Sequence, residues 1–424
     1  MSAPADVEVV TFGCRLNLVE SEALAREARA GGARDVVIVN TCAVTAESTR
    51  QARQAIRRLH RERPGAEIIV TGCAAEIDSA GFSAMAGVTR LIGNAGKSIG
   101  ANGGMGFAVP APQRAIGASE GTRGFLAVQN GCDHSCTFCV IPFGRGPSRS
   151  ARPDDVVAEA RKLVAAGKRE IVLTGVDLTS YGADRPGAPT LAGLARLLLD
   201  ALPTLERLRL SSIDCIEAGD ELVELMAREA RLAPHLHLSL QSGDDLILKR
   251  MKRRHSRADA IDFCAALRKA RPDIVFGADV IVGFPTETEE MFQRTLDLVE
   301  ECGLTHLHVF PFSPRPQTAA ARMPQVAPAM MKERAERLRA AGAAALTRHL
   351  DAQRGKTLRV LTERGGMARA ADFTQIRTPG VAAGLMIEVT AGAHDGRALL
   401  AERISPDQRA ENSIPQRATA DPIG

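Results

Sequence analysis

The sequence predicts an α/β protein built from an N-terminal doubly wound α/β domain, an open partial barrel of six strand–helix units and a small C-terminal β-barrel. Short apolar runs alternate with amphipathic helical patterns through most of the chain, which favours βαβ units and parallel sheets. After about residue 355 the pattern changes to short strands separated by glycines, which is typical of a small β-barrel. We therefore predict domains at 1–118, 122–352 and 353–405, followed by a polar, disordered tail at 406–424.

The N-terminal domain is predicted from three apolar runs that resemble buried parallel strands, Val7–Thr11, Val36–Asn40 and Ile68–Thr71. Helical patterns at 17–31 and 46–62 separate them. This alternation is the basis for the doubly wound α/β prediction.

The central domain is predicted from six further strands with helical patterns between them. These strands are Phe125–Gln129, Glu170–Leu173, Arg207–Ser211, His235–Leu240, Val275–Val282 and His306–Phe310. Six strands are too few for the usual eight-stranded barrel, so an open barrel is expected. A Gly- and Ala-rich stretch from Gly100 to Gly121 is predicted to be the linker before this domain.

Composition limits the class of protein. The chain has 424 residues, of which 45% are hydrophobic and 25% charged, without a long apolar run or a signal-peptide pattern at its start. These features predict a soluble cytoplasmic protein without a membrane partner. Its nine cysteines are then expected to be metal ligands or buried thiols rather than disulfides. An arginine-rich helix at 50–63 is equally compatible with phosphate binding and with a solvated helix face.

The most informative motif consists of Cys132, Cys136 and Cys139, with the spacing C-x3-C-x2-C. Iron–sulfur clusters usually have four cysteine ligands, so three thiolates would leave one iron open to a ligand that is not protein. A zinc site is the alternative, but zinc motifs usually contain paired C-x2-C units or spaced histidines. His134 has no partner at such a spacing.

A second group of three cysteines is predicted from the N-terminal domain. Cys14, Cys42 and Cys73 each follow a predicted strand. Parallel strands end at one edge of the sheet, so these thiols should converge and could hold a second cluster. Each alone could instead be a small buried residue. The other cysteines are predicted to be buried thiols: Cys215, Cys264 and Cys302.

The C-x3-C-x2-C motif, with Phe138 before its last cysteine, matches that of the radical S-adenosylmethionine (SAM) enzymes. The chain apart from its tail resembles the radical-SAM methylthiotransferases. The matching strings are Phe12–Asn17, Glu20–Glu22, Asn40–Val44, Thr71–Cys73 and Ile141–Gly146. The third domain resembles a TRAM domain, although it lacks a strong basic excess. Glu76 and Gln317 depart from the family pattern.

The resemblance implies an enzyme with two 4Fe–4S clusters and SAM. The implied ligands are Cys132, Cys136 and Cys139 for the SAM-cleaving cluster, and Cys14, Cys42 and Cys73 for an auxiliary cluster that carries the sulfur. One SAM would methylate that sulfur and a second would supply a 5′-deoxyadenosyl radical. No protein acid–base pair is expected to be catalytic. A reduced flavodoxin or ferredoxin and a sulfur donor are the implied partners.

SAM contacts are expected near the cysteine loop and at the strand ends. The candidates are Phe138, Ile141, Thr174, Gly175, Ser211, Ser212, Gln241 and Ser242. Polar residues at strand ends are as often turns or caps. Arg145 and Arg149 are candidates for binding a SAM carboxylate or an RNA phosphate, because arginine suits both oxyanions. The alternative for both is an ordinary surface loop.

Family branches differ in substrate: isopentenyl-adenosine in tRNA, threonylcarbamoyl-adenosine in tRNA, or an aspartate of a ribosomal protein. Four strings resemble the threonylcarbamoyl-adenosine branch, namely Leu173–Leu178, Leu210–Ile213, His237–Gly243 and His308–Pro316. This implies that N6-threonylcarbamoyladenosine next to the anticodon becomes its 2-methylthio derivative. The anticodon loop would be the RNA partner, since an enzyme must take a base out of its stack to modify it.

Four alternatives stay open. The other two branches differ from the first only in substrate, and the mildly basic charge balance of +4 argues against the ribosomal-protein branch. A non-enzymatic iron–sulfur electron-transfer protein would normally supply four cysteines to each cluster. A zinc-binding RNA module is the last alternative. Measuring the iron content would distinguish it from the iron–sulfur enzyme and from the electron-transfer protein.

Overall fold

The computed structural model describes residues 7–94, 116–118 and 121–405. The chain divides into two compact units, Met1–Ala345 and Leu346–Gly424. Most of the predicted linker and the predicted tail at 406–424 lie outside the described residues. Within those residues, none of the helices has both the length and the apolar character needed to span a membrane.

The first unit begins with a parallel four-stranded sheet in the order β1-β2-β3-β4. Its elements are β1 (Val7–Thr11), α1 (Arg15–Ala30), β2 (Val36–Thr41), α2 (Ala46–Glu62), β3 (Glu67–Gly72), α3 (Cys73–Ile77), α4 (Ser79–Ser83) and β4 (Val88–Ile92). Helix α1 packs against Val36 and Ile38, whereas α2 packs against Val37 and Val39. Alternate residues of a strand point to opposite faces, so the two helices cover both faces as predicted, although the strand order is sequential.

The six predicted strands of the partial barrel are present, with four further short strands. The elements are β5 (Ile116–Ala118), β6 (Gly124–Ala127), β7 (Gln129–Asn130), α5 (Ile141–Arg145), β8 (Arg149–Ser150), α6 (Pro153–Ala165), β9 (Glu170–Thr174), α7 (Leu191–Ala201), β10 (Arg207–Leu210), β11 (Ser212–Ile213), α8 (Gly219–Arg228), β12 (His235–Gln241), α9 (Asp245–Met251), α10 (Arg257–Ala270), β13 (Val275–Val282), α11 (Glu289–Glu301), β14 (Leu304–Pro311) and α12 (Pro328–Gln353). They form the sheets β10-β9-β6-β5 and β11-β12-β13-β14. The chain passes from one sheet to the other at Ser211.

The two faces of these strands differ in what covers them. One face packs against the intervening helices and forms the largest apolar core, which includes Leu126, Leu173 and Leu238. On the other face of β6 and β9, Phe125 and Val172 pack against helix α1 of the N-terminal sheet. Helix α1, which also packs on the N-terminal sheet, therefore covers the inner surface of β6 and β9.

A charged group is buried at the start of β9. The Glu170 carboxylate accepts hydrogen bonds from Arg207 Nη1 at 3.0 Å and Arg209 Nε at 2.8 Å. Although burial raises the pKa of Glu170, the two guanidinium groups lower it to about 2. This ion group joins β9 to β10 without leaving a buried charge unpaired.

The second unit contains the predicted small β-barrel. Its strands are β15 (Thr357–Glu363), β16 (Met367–Ala370), β17 (Gln375–Arg377), β18 (Met386–His394) and β19 (Leu399–Ser405). They close in the order β15-β16-β17-β19-β18 around Val360, Ile376 and Val389.

Candidate active site with two cysteine groups

The thiols of Cys132, Cys136 and Cys139 line one pocket of about 150 Å³ at the carboxyl ends of the barrel strands. The rest of the lining comes from the cysteine loop and from the residues that follow the strands: His134, Phe138, Ile141, Val176, Asp177, Leu178, Thr179, Ser212, Asp214, Ser239, Gln241 and Arg253. Three soft ligands thus face an open space that could hold a further molecule.

The cysteine loop is held in place by main-chain contacts. Cys132 N donates to Gly146 O at 3.1 Å, and Thr137 N donates to Met251 O at 3.1 Å. Gly131 has φ +76°, and a Cβ there would collide with the Pro147 carbonyl. Only glycine fits this position, which brings the loop close to the segment after α5.

The chemistry of the pocket fits a metal cluster. Burial raises the pKa of Cys132 to about 12 and that of Cys139 to about 11. These thiols would stay protonated near neutral pH unless a metal deprotonated them on binding. Arg253 Nη1 lies 3.8 Å from Cys136 Sγ and can compensate for thiolate charge.

Charged residues surround the rest of the pocket. Asp214 accepts hydrogen bonds from Arg253 at 2.8 Å and Arg254 at 3.1 Å. His134 Nε2 lies 2.8 Å from Asp177, and this contact, with Glu217, raises the pKa of His134 to about 10. The sequence analysis had not selected Asp214 or Arg253, since no motif brings them together. Asp177 could have been chosen, because it follows a predicted strand.

Half of the predicted SAM-binding residues line the pocket. Phe138 and Ile141 lie beside the cysteines, and Ser212 and Gln241 come from the barrel strands. Ser212 Oγ is 2.8 Å from Ser239 Oγ. Gln241 has φ +68°, which turns the end of β12 toward the pocket.

The structure does not bring the other four candidates to the pocket surface. Thr174 and Ser242 are buried, and Ser242 Oγ lies 3.4 Å from Thr295 Oγ1. Gly175 lies against the Gln129 side chain. Ser211 N donates to Leu173 O at 3.1 Å and ties β9 to the next strand.

Cys14, Cys42 and Cys73 follow β1, β2 and β3, and the structure brings them together as predicted. Burial raises the pKa of Cys42, and the nearby thiols of Cys14 and Cys73 raise it further. Gly13 has φ +94°, and a Cβ there would lie 2.7 Å from Cys42 Sγ. Gly72 has φ +100°, and a Cβ there would collide with the Thr41 backbone. The two glycines let the strand ends converge.

Arg145 is buried, with 3% of its surface accessible, so the alternative of an ordinary surface loop is wrong for this residue. Its guanidinium donates to Glu20 Oε1 at 2.7 Å, Asn17 Oδ1 at 2.5 Å and Asn130 Oδ1 at 2.9 Å. Arg145 therefore connects the barrel to helix α1. The second candidate, Arg149, is half-buried and donates to Arg145 O at 3.1 Å.

The two cysteine groups are neighbours. Gly144 in α5 lies against Cys73, where an added Cβ would be 3.1 Å from Cys73 Cβ. The charge of Cys73 also contributes to the raised pKa of Cys139. Phe143 and Val44, next to these groups, are 56% and 50% exposed. Exposed apolar side chains at a polar site are suited to contact a flat organic substrate.

The arginine-rich helix α2 is partly neutralised by acidic neighbours. Arg50 pairs with Glu47 at 2.6 Å, and Arg53 pairs with Asp78. Arg315, which the sequence analysis had not selected, places Nη2 3.4 Å from Thr49 Oγ1, close enough to Cys42 for their charges to interact.

Comparison with known proteins identifies the chain as a radical SAM protein. The sequence profile of the radical SAM superfamily matches residues 126–299, and that of the uncharacterized protein family UPF0004 matches residues 6–93. A solved structure of the radical SAM methyltransferase TsrM from Kitasatospora setae, with cobalamin and a [4Fe-4S] cluster bound, aligns with a TM-score of 0.54 at 16% identity. The alignment covers 68% of this chain and 66% of that one.

Relatives that match over most of the chain then identify the family within this superfamily. The chain is 46% identical to the threonylcarbamoyladenosine tRNA methylthiotransferase MtaB of Rickettsia prowazekii over 87% of this chain and 90% of the relative. It is 36% identical to the MtaB of Bacillus subtilis, with 79% of each chain covered. It is 33% identical to the tRNA-2-methylthio-N(6)-dimethylallyladenosine synthase of Ruegeria pomeroyi, over 95% of this chain and 100% of the relative. The chain belongs to the radical-SAM methylthiotransferase family.

Proposed function

We propose that this enzyme converts N6-threonylcarbamoyladenosine next to the tRNA anticodon into its 2-methylthio derivative. The observation that carries the proposal is the close approach of two three-cysteine groups, one of which opens into a pocket. The identity of 46% to a relative named for this activity supports the substrate. The reaction replaces the hydrogen on adenine carbon 2 with SCH3, and that C–H bond is too inert for protein acid–base chemistry.

Cys132, Cys136 and Cys139 would hold the SAM-cleaving 4Fe–4S cluster. When bound, the cluster and SAM supply the radical that the reaction needs. The protein binds and orients SAM in the pocket, with Phe138 and Ile141 against the cysteines. Asp214 and Arg253 offer a carboxylate and a guanidinium to the polar groups of SAM.

Cys14, Cys42 and Cys73 would hold the auxiliary 4Fe–4S cluster and with it the sulfur to be inserted. Their convergence at one sheet edge and the raised pKa of Cys42 fit a site in which metal binding removes the thiol protons. The expected partners are a reduced flavodoxin or ferredoxin as electron donor and a separate sulfur donor.

The substrate would enter where the two cysteine groups meet. The exposed side chains of Phe143 and Val44 could contact a base that has left its stack. The β-barrel of the second unit, predicted at 353–405, could bind the tRNA backbone as a TRAM-like domain. The segments 1–118 and 122–352 would carry the auxiliary and the SAM-cleaving sites. A tRNA substrate makes the cytoplasm the expected place of action.

Mass spectrometry of tRNA nucleosides from cells with and without the gene tests the substrate. Loss of 2-methylthio-N6-threonylcarbamoyladenosine, with accumulation of its precursor, would support the proposal. Loss of the 2-methylthio-isopentenyl nucleoside would instead favour the second candidate, which the Ruegeria relative suggests at 33% identity. Unchanged tRNA nucleosides would direct the search to a ribosomal-protein aspartate.

Two cysteine variants test the division of labour between the groups. Cys132→Ala should abolish reductive SAM cleavage, because it removes one ligand of the SAM-cleaving site. Cys42→Ala should leave SAM cleavage intact while methylthiolation stops. Production of 5′-deoxyadenosine and of modified RNA can be followed separately by liquid chromatography. Equal loss of SAM cleavage in both variants would contradict the assignment.

A further inference from the structure

Two histidines share one carboxylate oxygen on three neighbouring strands of the barrel. Asp279 Oδ1 on β13 lies 2.8 Å from His237 Nε2 on β12 and 3.1 Å from His308 Nδ1 on β14. The two imidazole rings are 4.6 Å apart between centroids. None of these three side chains lines the pocket with the cysteines.

The backbone makes room for this arrangement. Gly277 lies on β13 beside His237 of β12, and a Cβ there would come within 2.5 Å of His237 Nδ1. Bonds from His237 and His308 hold the pKa of Asp279 well below its usual range, although burial opposes the shift. Asp279 is therefore a carboxylate that fixes both rings, with hydrogen on Nε2 of His237 and on Nδ1 of His308.

The other edge of the His308 ring is presented outward. The side chain is 59% exposed, whereas that of His237 is 15% exposed. With Nδ1 bound to Asp279, Nε2 of His308 is left to accept a hydrogen bond, or to donate one when the ring is protonated. Phe310, 6.4 Å away between ring centroids and 38% exposed, adds an apolar surface beside it. Together they can take a flat group that carries polar substituents.

This group lies close to the SAM pocket. His237 and Ser239 alternate along β12 and therefore point to the same face of the sheet. Ser239 and Gln241 line the pocket. Two residues of a strand span about 7 Å, which is comparable to the reach of an adenine with a substituent on N6.

We propose that His308, positioned by Asp279 and His237, binds the threonylcarbamoyl group of the substrate and selects it over apolar N6 substituents. The inference rests on the proposed function. The threonylcarbamoyl group carries a ureido N–H, a hydroxyl and a carboxylate, all of which can bond to an imidazole nitrogen. An isopentenyl group has none of these, so it would displace water from the exposed edge of His308 without replacing the hydrogen bond, which disfavours its binding.

The test compares the affinity of the purified protein for three anticodon stem-loops, which carry threonylcarbamoyl-adenosine, isopentenyl-adenosine or unmodified adenosine. Wild-type protein should bind the first most tightly. His308→Phe should weaken binding of that RNA about ten-fold or more and leave the other two unchanged. His308→Gln, which keeps a polar group near the Nε2 position, should retain part of the preference. Asp279→Asn should reduce the preference rather than the overall RNA affinity.

Several results would overturn the inference. Equal weakening for all three RNAs in His308→Phe would indicate a general contact, and an unchanged preference would remove His308 from recognition. A wild-type protein without preference would also refute it. Two histidines and a carboxylate can bind a divalent metal, so one zinc or iron per chain beyond the clusters that disappears in Asp279→Asn would assign the group to a metal instead.

Complementation separates this inference from the proposed function. If the wild-type gene restores the 2-methylthio nucleoside to deleted cells, the proposed function stands whatever His308→Phe does. Undiminished restoration by His308→Phe at a matched protein level would then count against the inference alone.

Discussion

Arg145→Leu should destabilise the first unit by about 3–5 kcal/mol, the usual cost of removing one partner of a buried ion pair. Glu20 would keep its charge in a buried site, because its side chain is only 8% exposed. Asn17 and Asn130 would also lose the hydrogen bonds at 2.5 and 2.9 Å that Arg145 now donates. The destabilisation should therefore exceed that expected from the lost packing of an arginine stem.

The measurement is urea unfolding of the metal-free protein followed by far-ultraviolet ellipticity, since the chain contains no tryptophan. Glu20→Leu and the double variant complete a thermodynamic cycle. The double variant should lose less stability than the sum of the single variants, because it removes both members of the buried ion pair together. Arg149→Leu is the matched control, and we expect it to cost about 1 kcal/mol or less, because its side chain is only half-buried.

The opposite result would restore the role predicted from the sequence. If Arg145→Leu unfolded like the wild type but bound the anticodon stem-loop with lower affinity and a weaker salt dependence, Arg145 would be a phosphate contact. The structural interpretation would then be wrong.

Further predictions concern stability in acid and the two cysteine sites. The pKa of Glu170 is about 2 in the folded protein, so its contribution of about 3 kcal/mol should be complete above pH 4.5 and decline as the pH falls toward 2. Urea unfolding at pH 3 and pH 7 should show a smaller difference in Glu170→Gln than in the wild type, and an equal difference would contradict the argument. Gly72→Ala should displace Cys73 and reduce reconstituted iron from about eight to about four atoms per chain. Gly131→Ala should cause a similar loss of iron at the site of Cys132, Cys136 and Cys139. Only this variant should also lose SAM cleavage. Full iron content in either variant would contradict the argument that a Cβ at that glycine collides with the neighbouring backbone.

The main strands and both cysteine groups were predictable because each depends on a local pattern. A buried parallel strand is a short apolar run, and a residue that follows such a strand lies at the carboxyl edge of the sheet. The convergence of Cys14, Cys42 and Cys73 follows from these two rules alone. Helix α9 was missed because it has only seven residues, too few to show a clear helical period.

The burial of Arg145 was not predicted because its partner lies far away in sequence. Glu20 is separated from it by 125 positions, and an arginine in a loop near a ligand site is usually exposed. The pocket wall was only partly predicted for a related reason. Ser212 and Ser242 both follow strand patterns, but the local turn decides which hydroxyl faces the pocket.

The packing of α1 against the inner surface of β6 and β9 has an evolutionary consequence. A barrel expressed without residues 1–118 would expose Phe125 and Val172 and lose the buried partner of Arg145, so such a fragment should aggregate. Gene fusion or domain exchange could not replace the N-terminal sheet and its helices while keeping the barrel folded. The two cysteine groups must therefore be inherited together, and a change in the barrel wall would select for matching changes along α1.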